Sequence, residues 1–335
     1  MASPALTNMK VAITGASGFI GKVLVPLLSA QGHALQLLSR ATAAATASDN
    51  IRFIHGDLLQ EASLKRLVAG ADVVIHLAAM ITMGDEMDKD AFELNTGGTR
   101  LLLAAARQAG VRRFIYLSSV TAFEQAPYDE PMDERRGPAT ALPYSYTASK
   151  VMAQAAALDS NNSGFEVIVL APTAVIGPMD ERPSMMGKAI ISMYKGNLPA
   201  LFPGGVDFVD VRDVAAAIVS ALTGGESGKV YLLSGEWLTL KALNRQIAAI
   251  KGKRSMIPVL PLGLVLGLLP FINWWARITG SAPYYTRQAV DQLIYSNKRI
   301  DHSKAAAALH FRPRPIAETV SDEIAWFRQN GFFEH

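Results

Sequence analysis

The chain has 335 residues, half of them hydrophobic and 18% charged, with a formal net charge of +3 and no cysteine. Such a composition is that of a well-buried globular chain and excludes a disordered one. Without cysteine there are no disulfides, thiolate nucleophiles or zinc-thiolate sites, the six histidines show no ligand spacing, and the scattered Lys and Arg form no nucleic-acid stripe.

Residues Met1 to Asn8 carry no signal-peptide pattern, which makes a cytoplasmic protein the expectation. From there short β-branched runs alternate with helical patterns, as in βαβ units around a parallel sheet. The expected strands are Lys10–Thr14, Ala34–Ser39, Ile51–His55, Val73–Leu77, Phe114–Ser118 and Glu166–Ala171. Phe19–Ala30, Ser63–Ala69, Thr96–Ala109 and Tyr146–Asp159 are the expected helices between them.

The first strand runs into Gly15-Ala-Ser-Gly18-Phe-Ile-Gly21, which opens a helix. In such a loop Gly15 allows a tight turn, Gly18 lets the backbone approach a pyrophosphate, and Gly21 permits close helix–sheet packing. The phosphates then meet free N–H groups at a helix N-terminus. A plain turn would also use glycine, but strand before and helix after favour the phosphate loop. The second strand ends at Ser39-Arg40, where an acidic residue would suit the ribose of NAD and an arginine a 2′-phosphate. Arg40 therefore favours NADP(H) over NAD(H), against the alternative of a solvated surface arginine. After the third strand, Asp57 could accept from an adenine amino group or cap a helix.

Leu117-Ser-Ser119 ends the fifth strand, where a parallel sheet presents side chains to its ligand crevice. Tyr146-Thr-Ala-Ser-Lys150 then places a phenol and an ammonium one helical turn apart. A neighbouring cation should bring the phenol's pKa down toward working pH. A serine at the strand end could bind a carbonyl oxygen that Tyr146 protonates.

Beyond Ala171 the alternation stops. Prolines mark loops, strands reappear at Val206–Val211 and Lys229–Ser234, and a helix spans Ile316–Asn330. The expectation is a chain that leaves the sheet and returns to it twice. From Ser255 to Ala276 there is no charged residue. This stretch reads as a buried helical hairpin, which could also wall an apolar substrate. It reads alternatively as a surface insertion with Trp274, Trp275 and Arg277 at the lipid interface, or as a spanning helix. Met179, Met185, Met186, Met193 and Met256 could line an adaptable pocket or fill core.

The stretches TGASGFIG (14–21), HGDL (55–58), HLAA (76–79), LNTGGT (94–99), YLSS (116–119), YTASK (146–150), PTAVIGP (172–178), FVDVRDVAAAI (208–218) and YLLSGE (231–236) resemble the extended short-chain dehydrogenase/reductase family. Within it the chain looks most like dihydroflavonol-4-reductase-like enzymes, 3β-hydroxysteroid dehydrogenases and hopanoid-associated epimerases. The resemblance implies an α/β fold: a Rossmann-type doubly wound parallel sheet with a smaller, mostly helical C-terminal substrate domain. Residues 9–175 with 206–235 would bind NAD(P), and 176–205 with 236–335 would form the substrate-binding cap. A triad of Ser119, Tyr146 and Lys150 is implied, Ser119 being preferred to Ser118 by its place in the Ser-Ser pattern. Lys150 would also hold the nicotinamide ribose, and Asn95 would support the cofactor side. Gly15, Ser17, Gly18, Phe19, Ile20, Arg40, Asp57, Leu58, Leu77, Ala78, Ala79, Pro172 and Val175 would complete the cofactor set, with no metal.

One departure narrows the substrate. Relatives acting on nucleotide sugars usually carry an asparagine after the sixth strand, in a stretch like RxxNVYGP. Here Ala174 stands in its place and Ala171 replaces the arginine. That favours a ketone or aldehyde reductase with a fairly apolar substrate over a sugar epimerase or dehydratase. A steroid dehydrogenase-type enzyme is the other catalytic alternative. A non-catalytic dinucleotide sensor is a third, and the intact triad speaks against it. A homodimer is expected by analogy, through the helices beginning near Asn95 and Tyr146.

Overall fold

Strands buried on both faces read as unbroken apolar runs, and the chain uses such runs to build one parallel sheet. The computed structural model describes residues 8–41, 49–82, 87–141, 144–279 and 286–334, and for 271–279 the backbone alone. In chain order the first half comprises β1 (Lys10–Thr14), α1 (Phe19–Ala30), β2 (Ala34–Ser39), β3 (Ile51–His55), α2 (Glu61–Val68), β4 (Val73–His76), α3 (Lys89–Gln108), β5 (Arg113–Leu117), α4 (Ser145–Asp159) and β6 (Glu166–Pro172). All four residues of β4 are buried, as are six of seven in β6.

The second half contains β7 (Ala174–Ile176), α5 (Met185–Lys195), β8 (Gly205–Asp210), α6 (Val211–Ser220), β9 (Lys229–Leu233) and β10 (Glu236–Thr239). It then runs through α7 (Leu240–Lys251), α8 (Leu262–Thr279), α9 (Arg287–Ile294), α10 (Ser303–Leu309) and α11 (Ile316–Gln329). The main sheet has seven strands in the order β3-β2-β1-β4-β5-β6-β9, parallel throughout. Strand order reverses between β1 and β4, which opens a crevice at their C-terminal ends. Val23, Leu24 and Leu28 of α1 and Val214 and Ile218 of α6 pack on one face of this sheet. Leu64 and Leu67 of α2, Leu102 and Leu103 of α3 and Ala153 of α4 pack on the other. The α/β doubly wound architecture expected from the sequence is the one formed.

Three details differ from the expectation. The chain returns to the main sheet once, at β9, because β8 instead joins a small sheet ordered β10-β8-β7. There it pairs parallel with β7 and antiparallel with β10. Helix α3 begins at Lys89 rather than Thr96, with the Asp88 carboxylate accepting from the Ala91 N–H at 2.9 Å. Within it Gly98 serves close packing: a Cβ there would lie 2.6 Å from Leu58 Cδ2. The stretch 255–276 forms no helical hairpin but one helix, α8, with Pro270 inside it. Val265 and Leu269 bury one edge of α8 in a third core shared with α5, α7, α9 and α11. No helix among the described residues is long and apolar enough to cross a membrane. The side chains of Trp274, Trp275 and Arg277 lie outside those described.

Candidate active site

The C-terminal end of β5 delivers Ser118 and Ser119 into the crevice, and the two hydroxyls part company there. Ser118 Oγ donates to Gln154 Oε1 at 2.6 Å and is thereby engaged with α4. Ser119 Oγ caps the following 3₁₀ turn, accepting from Thr121 N and Thr121 Oγ1 at 3.2 and 3.0 Å. Its own proton remains available, and Ser119 is the hydrogen-bond partner of the Tyr146 phenol. Of the two serines, Ser119 is thus the one brought to the tyrosine.

Helix α4 starts one residue before Tyr146, which sets Tyr146 and Lys150 on one face, both buried. The Lys150 ammonium donates to the Leu117 carbonyl at 2.9 Å and lies 5.8 Å from the Tyr146 ring centroid. It also sits 5.3 Å from the Tyr116 ring centroid. Burial removes water from both groups, so the Tyr146 phenol is pushed up to about 12 despite the opposing Ser119 hydrogen bond. The same burial draws Lys150 down to about 7. The expectation that the cation lowers the phenol is therefore not met in this state. Desolvation dominates, and the ammonium is held by the Leu117 carbonyl rather than by the phenol.

A cavity of about 450 Å³ lies along the C-terminal ends of β1, β2 and β4. Gly15, Ser17, Gly18, Phe19, Arg40, Asp57, Leu58, Ala78 and Ala79 are brought together along it. Ile20, Leu77, Asn95, Pro172 and Val175 are not among its lining residues, nor is the triad. Ile20, Leu77 and Val175 pack instead against the core on the α1 side of the sheet. The glycine loop suits a dinucleotide on structural grounds. Gly15 has φ of +75°, and a Cβ on it would lie 2.6 Å from Ala78 N, so no side chain fits between β1 and β4. Gly18 caps α1 without a side-chain hydrogen bond, and the first turn holds no acidic residue. Helices α3, α5, α6, α7 and α9 are capped by side chains, whereas α1, like α2, α4, α10 and α11, is not. The α1 N-terminus is left to accept an anion. Asp57 also serves its own turn, accepting from Leu59 N at 3.0 Å.

Behind this wall a buried polar network holds the β4 end in place. Thr99 Oγ1 donates to the Asn95 carbonyl at 2.6 Å, so at 2.9 Å it must accept from His76 Nε2–H. His76 Nδ1 is then the acceptor of the Thr14 hydroxyl at 2.6 Å, which in turn accepts from Ala78 N. Burial and the Lys150 charge hold this imidazole neutral, with its pKa down at about 3. Asn95 spans Met80 with both its amide groups and donates to Ser149 Oγ at 3.0 Å. It shapes the loop after β4 and ties it to α4.

Several lining residues, Lys22 and Asp180 to Arg182, were not singled out from the sequence. Lys22 of α1 and Met179 to Arg182 face the same cavity, and Lys22 forms an ion pair with Glu181 at its edge. A basic residue one turn into α1 and an acidic one after Gly177-Pro178 were the available hints. The methionines do not gather in one pocket: Met179 lines the 450 Å³ cavity, whereas Met193 and Met256 line a separate one. No cluster of potential metal ligands occurs among the described residues.

The model of the NAD-dependent epimerase/dehydratase family matches residues 11–234. The chain is 29% identical over 331 residues to sterol demethylase protein B of Methylococcus capsulatus, covering 96% of this chain and 99% of that protein. Among solved structures it is similar to gox2253, with 31% identity, a TM-score of 0.81 and coverage of 98% and 100% of the two chains. It is also similar to a nucleoside-diphosphate-sugar epimerase from Pseudomonas aeruginosa, with 25% identity, a TM-score of 0.77 and coverage of 97% and 99%.

Proposed function

The chain belongs to the NAD-dependent epimerase/dehydratase family, and we propose that within it this protein is an NADP(H)-preferring reductase of ketones or aldehydes on fairly apolar small molecules. The observation that carries the reading is the buried pairing of Ser119 with Tyr146, one turn above Lys150, at the end of β5. A nicotinamide bound in the crevice would supply hydride to a carbonyl carbon. Tyr146 gives its proton to the carbonyl oxygen, which a neutral phenol with a raised pKa is able to do, and Ser119 orients that oxygen. Lys150 holds the ribose side of the cofactor, and its charge steadies the phenolate left behind. Residues 9–175 with 206–235 carry the cofactor in this reading, and 176–205 with 236–335 cover the substrate.

Two features support an apolar substrate. Ala171 and Ala174 offer no polar group to a nucleotide diphosphate, whose charge would lose water without gaining a partner. The full-length relative named above is called a sterol demethylase protein. Arg40 on the cavity wall supports NADP(H).

The test is kcat/KM, with NADPH and NADH, for aryl ketones, a 3-ketosteroid, short aldehydes and UDP- or GDP-sugars. Reduction of the apolar compounds is expected. Epimerisation of a nucleotide sugar without it would overturn the proposal. Tyr146→Phe should lower turnover on the order of 10²–10⁴-fold and leave cofactor affinity nearly intact, and near-normal turnover would remove Tyr146 from the chemistry.

A further inference from the structure

Helix α8 buries one edge and leaves another bare. Val265 and Leu269 are inside, whereas Leu264 and Leu268, one turn apart, are 49% and 40% exposed, and Gly263 and Gly267 beside them have nothing within 4 Å of a built Cβ. The segment leading into the helix also exposes apolar side chains, Val259 at 41% and Met256 at 90%. Contiguous apolar surface on a folded chain marks a contact.

The charge around it is one-sided. Between Trp237 and Met256 the sequence carries five lysines and arginines and no Asp or Glu. Lys253 and Arg254 are exposed next to Met256. A cavity of about 440 Å³ opens beside them, walled by Met193, Met256 and Ile257 and bordered by Lys195, Lys251, Lys253 and Arg254. An apolar face with cations along one margin matches an anionic phospholipid surface, with acyl chains meeting the leucines and phosphates meeting the cations.

We propose that the outer face of α8 and residues 253–259 rest on an anionic phospholipid membrane, α8 lying along the surface without crossing it. This inference does not depend on the reaction proposed above. The test is co-sedimentation of the full chain with vesicles of phosphatidylcholine alone or mixed with phosphatidylglycerol. Binding to the mixed vesicles is expected, weakening as salt rises. Each cation near such a surface contributes about fivefold, so K253A/R254A should reduce binding about 25-fold and K253E/R254E further. L264E/L268E should abolish it, with unfolding temperature and cofactor affinity as checks on the fold. No binding to the mixed vesicles, or equal binding to both kinds, overturns the proposal. So does a solution dimer that L264E/L268E converts to monomer, because the face would then belong to a second copy.

Discussion

Arg40 is exposed at the C-terminal end of β2, on the wall of the cavity that meets the glycine loop. A guanidinium beside a 2′-phosphate contributes about 1.5–3 kcal/mol through a charged hydrogen bond. Arg40→Ala should therefore weaken NADPH binding by roughly ten- to a hundredfold and leave NADH almost unchanged, as read by fluorescence titration with each cofactor. Equal losses for both would make Arg40 a surface charge only. Lys150 sets a second expectation at this scale. Burial draws it down to about 7, so the ammonium proposed to hold the cofactor predominates below that pH and disappears above it. Accordingly kcat/KM for the cofactor should fall about tenfold per pH unit above 7. A flat profile from pH 6 to 9 would show that its charge is not used.

At the scale of elements, α11 is tied to the loop that walls the 450 Å³ cavity. Glu323 is fully buried, its Oε2 accepts from Gly177 N at 3.2 Å, and its Oε1 has no partner. Burial first, then the nearby Asp180 and Asp210 carboxylates, raise it well above the usual carboxylate range. An acid raised on folding contributes stability that is whole below its unfolded pKa and is lost as pH rises through the folded one. Glu323→Gln keeps the acceptor for Gly177 and cannot ionise. It should unfold at a higher temperature than the wild type at alkaline pH, with the gap closing toward pH 4. Melting curves that coincide at every pH would mean Glu323 bears no such cost. Helix α3 teaches a related point. Gly98 lies inside a helix legible in the sequence, but only its contact with Leu58 shows why that position has no side chain.

Over the whole molecule, the third core holds the C-terminal helices to the small sheet. Phe327 is fully buried there, with ring centroids 5.1 Å from Phe332 and 5.5 Å from Trp326. Phe327→Ala should lower unfolding free energy by about 3–5 kcal/mol, measured by denaturant titration. A loss below 1 kcal/mol would show that this core adds little. The strands of the main sheet, the glycine loop and the Tyr146–Lys150 spacing were legible in the sequence because each is local: apolar runs, turn chemistry and helical period act over a few residues. Tertiary contact alone decided where β8 pairs, that Ser118 is engaged by Gln154, and that Lys22 reaches Glu181. It also decided that burial raises the phenol where its neighbouring cation would have lowered it. The physical reason is common to these cases. Strand partners, ion pairs and desolvation depend on what distant segments bring to a residue, and residue types and spacing along the chain do not encode that directly.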